Sequence, residues 1–169
     1  GEGFDDVTLT DASGNTVALA GVEVITGNDG SDILTVTDDT SVTLDGGDGA
    51  DTLIGNIGDD MLLGGAGSDA IDGGVGADTL IGDVGDDTLI GGDGSDVIDG
   101  GDGDDTLLGG SGSDTLIGGG GADVFDGGQD DDLLELDGSA GVTAEGGDGT
   151  DTVVLVGETN EASLSGVEV

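Results

Sequence analysis

Aliphatic residues recur along this chain every nine residues, each followed closely by glycines. From Gly91 to Gly110 it reads GGDGSDVIDGGDGDDTLLGG, with Ile98 and Leu107 one period apart. The pattern resolves into a unit G-G-x-G-x-D-x-U-x, where U is aliphatic or Phe. In strict register the unit begins at Gly27, Gly46, Gly55, Gly64, Gly73, Gly82, Gly91, Gly100, Gly109, Gly118, Gly127 and Gly146. All twelve units have Gly at position 1, Asp at position 6 and Leu, Ile, Val or Phe at position 8. Position 2 is Gly in nine, with Asn28, Asn56 and Asp83 as exceptions, and position 4 departs from Gly only at Asp130. Asn and Asp also tolerate unusual backbone angles.

Glycine at this density rules out helix, since each costs about 1 kcal/mol in a helix interior. The spacing predicts GGxGxD as a tight turn. The x-U-x that follows is a strand of about three residues, with U pointing in and its neighbours out. One nonapeptide buries nothing alone. Two form a coil of eighteen residues, and stacked coils turn the U positions into internal ladders. One ladder reads Leu34, Leu53, Ile71, Leu89, Leu107, Phe125; the other reads Leu62, Leu80, Ile98, Leu116, Leu134, Val153. The expected fold is all-β: a parallel β-roll, or β-solenoid, with GGxGxD turns on both sides.

The position-6 aspartates form matching rows: Asp32, Asp51, Asp69, Asp87, Asp105 and Asp123 on one side, Asp60, Asp78, Asp96, Asp114, Asp132 and Asp151 on the other. Stacked about 4.8 Å apart, these like charges repel unless a cation lies between them. Composition sharpens the point. Of 169 residues, 40 are acidic, 41 are Gly and none is Lys, Arg, His or Cys, so the formal charge is −40. Such a chain should stay expanded, yet 33% of it is apolar. A missing positive partner reconciles the two. Carboxylates and the carbonyls of a glycine-rich turn suit calcium, which takes six to eight oxygens in flexible geometry. Transition metals would call for His or Cys.

The same composition excludes other classes. Nucleic acid and anionic membranes are recognised through Lys and Arg, and no apolar run reaches spanning length. Without His, Cys, Lys or Tyr, only carboxylates and hydroxyls remain for catalysis, so no enzyme activity is expected. An EF-hand lacks its spacing and closing Glu, and a phosphate loop lacks its Lys.

The units resemble the calcium-binding nonapeptide of the repeats-in-toxin (RTX) family over Gly27 to Val154. The resemblance implies a right-handed parallel β-roll, with ions shared by consecutive turns on one side. It also implies secretion from a Gram-negative bacterium by a type I exporter. The twelve position-6 aspartates carry over as ligands. So do turn carbonyls, for which Gly65, Gly67, Gly74, Gly76, Gly92, Asp93, Gly94, Gly101, Gly103, Gly110 and Gly112 are the candidates. Six turns per side leave five gaps, or about ten Ca²⁺ ions in all. Residues 36–45 and 136–145 are ten long and lack GGxGxD, which puts ions there, and the turn at Asp130, in doubt.

A longer period overlies the short one. GEGFDDVTL at the start matches GDGTDTVVL at Gly147–Leu155, offset by 146 residues, and VALAGVEV at Val17–Val24 matches ASLSGVEV at Ala162–Val169, offset by 145. A period of 146 is sixteen nonapeptides plus two extra residues, or eight coils. Residues 1–26 then read as the end of one long repeat plus a calcium-free connecting coil, 27–154 as the roll, and 155–169 as the start of the next connecting coil. A short linker or cap is the other reading of the 9–26 stretch.

Three functions fit. The first is a structural module of a long secreted repeat protein that calcium stiffens outside the cell, as a filament, surface layer or adhesin stalk. It would meet further copies end to end, and side by side if the aliphatic residues at position 9 (Ile54, Ile90, Leu108, Leu63, Ile81, Ile117 and Val154) form an outward strip. The second is an auxiliary folding and secretion domain of a protease, lipase or pore-forming toxin. The third is an ice-binding solenoid, for which Thr at position 7 offers a row without a partner Asn ladder.

Overall fold

A computed structural model of the chain describes residues 6–8, 15–21, 23–137, 139, 141–156 and 163–165. These residues form two nine-stranded parallel sheets and no helix. One sheet holds the odd strands: β1 (Asp6–Thr8), β3 (Val24–Asp29), β5 (Thr43–Asp48), β7 (Met61–Ala66), β9 (Thr79–Val84), β11 (Val97–Asp102), β13 (Thr115–Gly120), β15 (Leu133–Leu136) and β17 (Thr152–Leu155). The other holds the even strands: β2 (Thr16–Leu19), β4 (Ile33–Val36), β6 (Thr52–Ile57), β8 (Ala70–Val75), β10 (Thr88–Asp93), β12 (Thr106–Ser111), β14 (Val124–Gln129), β16 (Thr143–Asp148) and β18 (Ser163–Ser165). The chain alternates between sheets, so each pair of strands is one turn of a parallel β-solenoid of about eight turns.

Most strands are six residues long, twice the expected length. They run from position 7 of one unit through position 3 of the next, as in Val97–Asp102. The turn proper is only positions 4–6. The physical reason lies in the alternation of faces. Position 8 points inward, and two residues on so does the glycine at position 1, giving the recurrent exposed–buried–intermediate–buried pattern of β11. Paired rows such as Gly92↔Gly110 keep the position-2 glycines within the ladder.

Both expected aliphatic ladders form the core. Leu34 through Phe125 line the even sheet and Leu62 through Leu134 the odd one, each essentially fully buried, with Val153 packed against them half-buried. The ten-residue units do not interrupt the solenoid. They add Val36, Val42 and Leu44 at one end and Leu136, Val142 and Ala144 at the other, all within the core. On the outer faces, the aliphatic row at position 9 is half-covered and broken by acids: Asp99 sits between Ile81 and Ile117 in the register. Of the nearly matching segments, residues 147–155 are all described and 17–24 are described apart from residue 22; of the other two, only β1 and β18 are described. No helix among the described residues is long and apolar enough to cross a membrane.

Candidate metal centre

The twelve position-6 aspartates end each turn just before a strand begins, and all are between 1% and 3% exposed. The fold brings them together in the two expected rows. Within a row each carboxylate leans toward the coil before it. The Asp78 amide N–H donates to Asp96 Oδ1 at 2.8 Å, and the Asp96 amide donates to Asp114 Oδ1 at 2.8 Å. The other row repeats this, with Asp69 donating to Asp87 and Asp87 to Asp105 at 2.8 Å each. One oxygen of every carboxylate is therefore satisfied by the backbone one turn away.

The second oxygen is not. Oδ2 of all twelve aspartates is buried and has no hydrogen-bond partner. An orphaned buried carboxylate oxygen is costly, and twelve in two rows form a set of oxygen donors whose chemistry fits a hard cation. Among the described residues no three Asp or Glu side chains converge on one point. An oxygen-rich site here must therefore draw on backbone carbonyls as well.

A carbonyl of the neighbouring coil borders the same space as most of these Oδ2 atoms. A Cβ built on Gly73, at position 1, would lie 2.5 Å from Asp78 Oδ2 and 2.8 Å from the carbonyl oxygen of Gly91 in the next coil. Gly73 has no positive φ, so glycine is required there for space: a side chain would fill the cradle beside Oδ2. At positions 2 and 4 the requirement is also conformational. Gly92 and Gly94 have φ of 112° and 148°, and a Cβ on either would collide with the carbonyl of Gly74 or Gly76 one coil below. The candidate carbonyls at positions 2 and 4 thus face the following turn. Asp93 differs, because its carbonyl already accepts the Gly76 amide at 2.8 Å. The exceptions at positions 2 and 4 also take positive φ: Asn28, Asn56, Asp83 and Asp130 have φ between 74° and 78°.

Electrostatics agrees with the geometry. Burial, ahead of every other cause, raises the carboxyls of Asp78, Asp105, Asp123 and Asp132 to about 6 and that of Asp114 to about 7, with neighbouring aspartates of the row adding to it. Asp51, Asp60, Asp69, Asp87 and Asp96 are raised for the same first reason. Because these groups bind protons more tightly folded than unfolded, the metal-free fold gains stability as pH falls from about 7 toward 4 and loses it as pH rises. In chelator, β content by circular dichroism is expected to increase on acidification over that range. A decrease would contradict the burial of the rows.

The sequence singled out the aspartates and glycines but missed the apolar pairs Val36–Val42 and Leu136–Val142. A readable signal was present: TLDGGD at Thr43–Asp48 and TAEGGD at Thr143–Asp148 each resume the T-U-x-G-G pattern after the gap.

The model of a family described as RTX calcium-binding nonapeptide repeat (4 copies) matches residues 18–39, 45–80, 72–107, 81–116 and 99–134. No curated protein matches the chain.

Proposed function

The chain belongs to the RTX calcium-binding nonapeptide repeat family, and on that premise we propose that it is a structural module of a long secreted bacterial repeat protein, stiffened by calcium outside the cell. The Oδ2 atoms of the twelve position-6 aspartates, with turn carbonyls such as those of Gly92 and Gly94, hold about ten ions in the gaps of the two rows. Bound calcium supplies positive charge to groups that otherwise repel and a coordination number that carboxylates and carbonyls fill together. The aspartates also fix the spacing of the coils, since each Oδ1 is tied to the amide one turn earlier. With no basic residue in the chain, these carboxylates have no internal counter-charge, which suits a chain exported unfolded from a low-calcium cytosol and folded outside.

The observation that carries the structural reading is the match between the long period and the solenoid. One register row runs Asp6, Val24, Thr43, Met61, Thr79, Val97, Thr115, Leu133, Thr152, eight steps through one sheet. From 6 to 152 is 146 residues, the offset at which the chain nearly repeats itself. Consecutive copies then continue one roll, with the 9–26 stretch as a calcium-free coil within it.

Chains of one, two and three copies joined in that register test the reading. In calcium, small-angle scattering should show length rising by about 40 Å per copy, eight coils at about 4.8 Å each, at constant cross-section. Copies that tumble independently would overturn continuity and make the 9–26 stretch a linker.

A further inference from the structure

The two ten-residue turns occupy places where every regular turn carries the glycine–aspartate pair. In the register, Val36 ends β4 where regular strands place the position-1 glycine, and Val42 precedes β5 where they are preceded by the position-6 aspartate. Leu136 and Val142 stand the same way at the end of β15 and before β16. All four side chains are buried, between 0% and 4% exposed. The exchange is made at both positions together. Elsewhere a side chain at position 1 would collide with the position-6 carboxylate, as the cradle at Gly73 and Asp78 shows. Once position 6 is Val, that obstacle is gone and an aliphatic residue fills the space.

We infer that these two turns are cation-independent clamps that close one end of each ion row. In each, an aspartate side chain finds its partners within the protein. In the first, Asp38 accepts the Thr40 hydroxyl at 2.7 Å and the Gly21 amide at 2.5 Å, and the side-chain amide of Asn56, in the turn above, donates to the Val36 carbonyl. In the second, Asp137 accepts both the amide and the hydroxyl of Ser139 at 2.7 Å. An Asp bonded to a hydroxyl two residues on thus recurs in both, a local turn that needs no metal. Backbone pairing continues through them, since the Met61 amide donates to the Val42 carbonyl at 2.9 Å and the Thr143 amide to the Asp123 carbonyl at 2.9 Å.

Their placement is reciprocal. The first clamp lies one turn before Asp60, where the row Asp60 to Asp151 starts, and the Val42 amide donates to Asp60 Oδ1 at 2.8 Å. The second follows Asp123, where the row Asp32 to Asp123 stops. Each row therefore meets an apolar turn at one end, on opposite sides of the roll. The clamps fix the number of ions in the rows and hold the flanking coils by apolar packing and hydrogen bonds, with no ion of their own.

The inference rests on the calcium reading above, and equilibrium dialysis with labelled calcium separates the two. At saturating calcium, Val36→Ala with Val42→Ala should bind the same number of ions as the wild-type chain, while its thermal midpoint falls by more than about 5 °C through the lost packing. Asp60→Asn, facing the clamp, should lose one ion, and Asp96→Asn, inside a row, should lose two. A lower ion count in the double alanine variant, an unchanged midpoint, or two ions lost on Asp60→Asn would overturn the clamp. The Asp60 comparison decides even if the alanine variant does not fold. A wild-type chain that binds no calcium would instead sink the metal reading, and the clamp with it.

Discussion

In chelator at neutral pH the chain is expected to give the circular dichroism spectrum of a coil, and in millimolar calcium that of a β protein. The magnitudes decide this. Two unit charges about 4.8 Å apart repel by about 3 kcal/mol even at an effective dielectric constant of 20. Ten such neighbouring pairs in the two rows exceed the 5–15 kcal/mol that typically separates folded from unfolded protein. The rows lower the cost by taking up protons, with carboxyls raised to about 6 or 7, but above that range the charge returns. The core cannot offset it, because each coil contributes only a few aliphatic side chains against the entropy of 41 glycines. Calcium that binds the folded chain alone shifts the equilibrium by mass action, and about ten divalent ions would neutralise half of the −40 charge. A β-rich spectrum in chelator at pH 7.5 would contradict this.

Gly91→Val should be strongly damaging in the middle of the array. A Cβ there meets Asp96 Oδ2, lies 2.7 Å from the Gly109 carbonyl and 3.0 Å from Asp96 Cβ. The collision falls on two backbone-anchored groups, so neither gives way cheaply. Overpacking costs about 1–3 kcal/mol, and the displaced carboxylate belongs to two gaps of its row. The calcium midpoint for folding should rise by at least roughly tenfold, each factor of ten being about 1.4 kcal/mol. Asp93→Ala, at an exposed position whose backbone bond to Gly76 survives the change, should leave the midpoint close to wild type. Equal midpoints for Gly91→Val and the wild type would contradict the cradle.

Much of this was legible in the sequence because the repeat is strict. Position 8 announced the buried ladders and position 6 the two rows of aspartates, and Leu89, Ile98, Asp87 and Asp96 lie where the nine-residue register puts them. Three things were not legible. Strand length was underestimated because glycine reads as turn, whereas Gly91 and Gly100 sit extended and buried on the inner face. The two roles of glycine, space at Gly73 and positive φ at Gly94, look identical as letters. The Val36–Val42 and Leu136–Val142 pairs were hidden by the one-residue insertion, which breaks the register between two positions that only the folded turn brings together.

The central claim, that calcium fills the gaps along both aspartate rows and so holds the roll together, is tested most directly by equilibrium dialysis with labelled calcium at pH 7.5, read beside circular dichroism on the same samples. The account predicts about ten ions per chain, one for each gap between neighbouring aspartates, with half-saturation at the calcium concentration where β structure appears. Two or three ions per chain, or saturation at a concentration that leaves the spectrum unchanged, would contradict it.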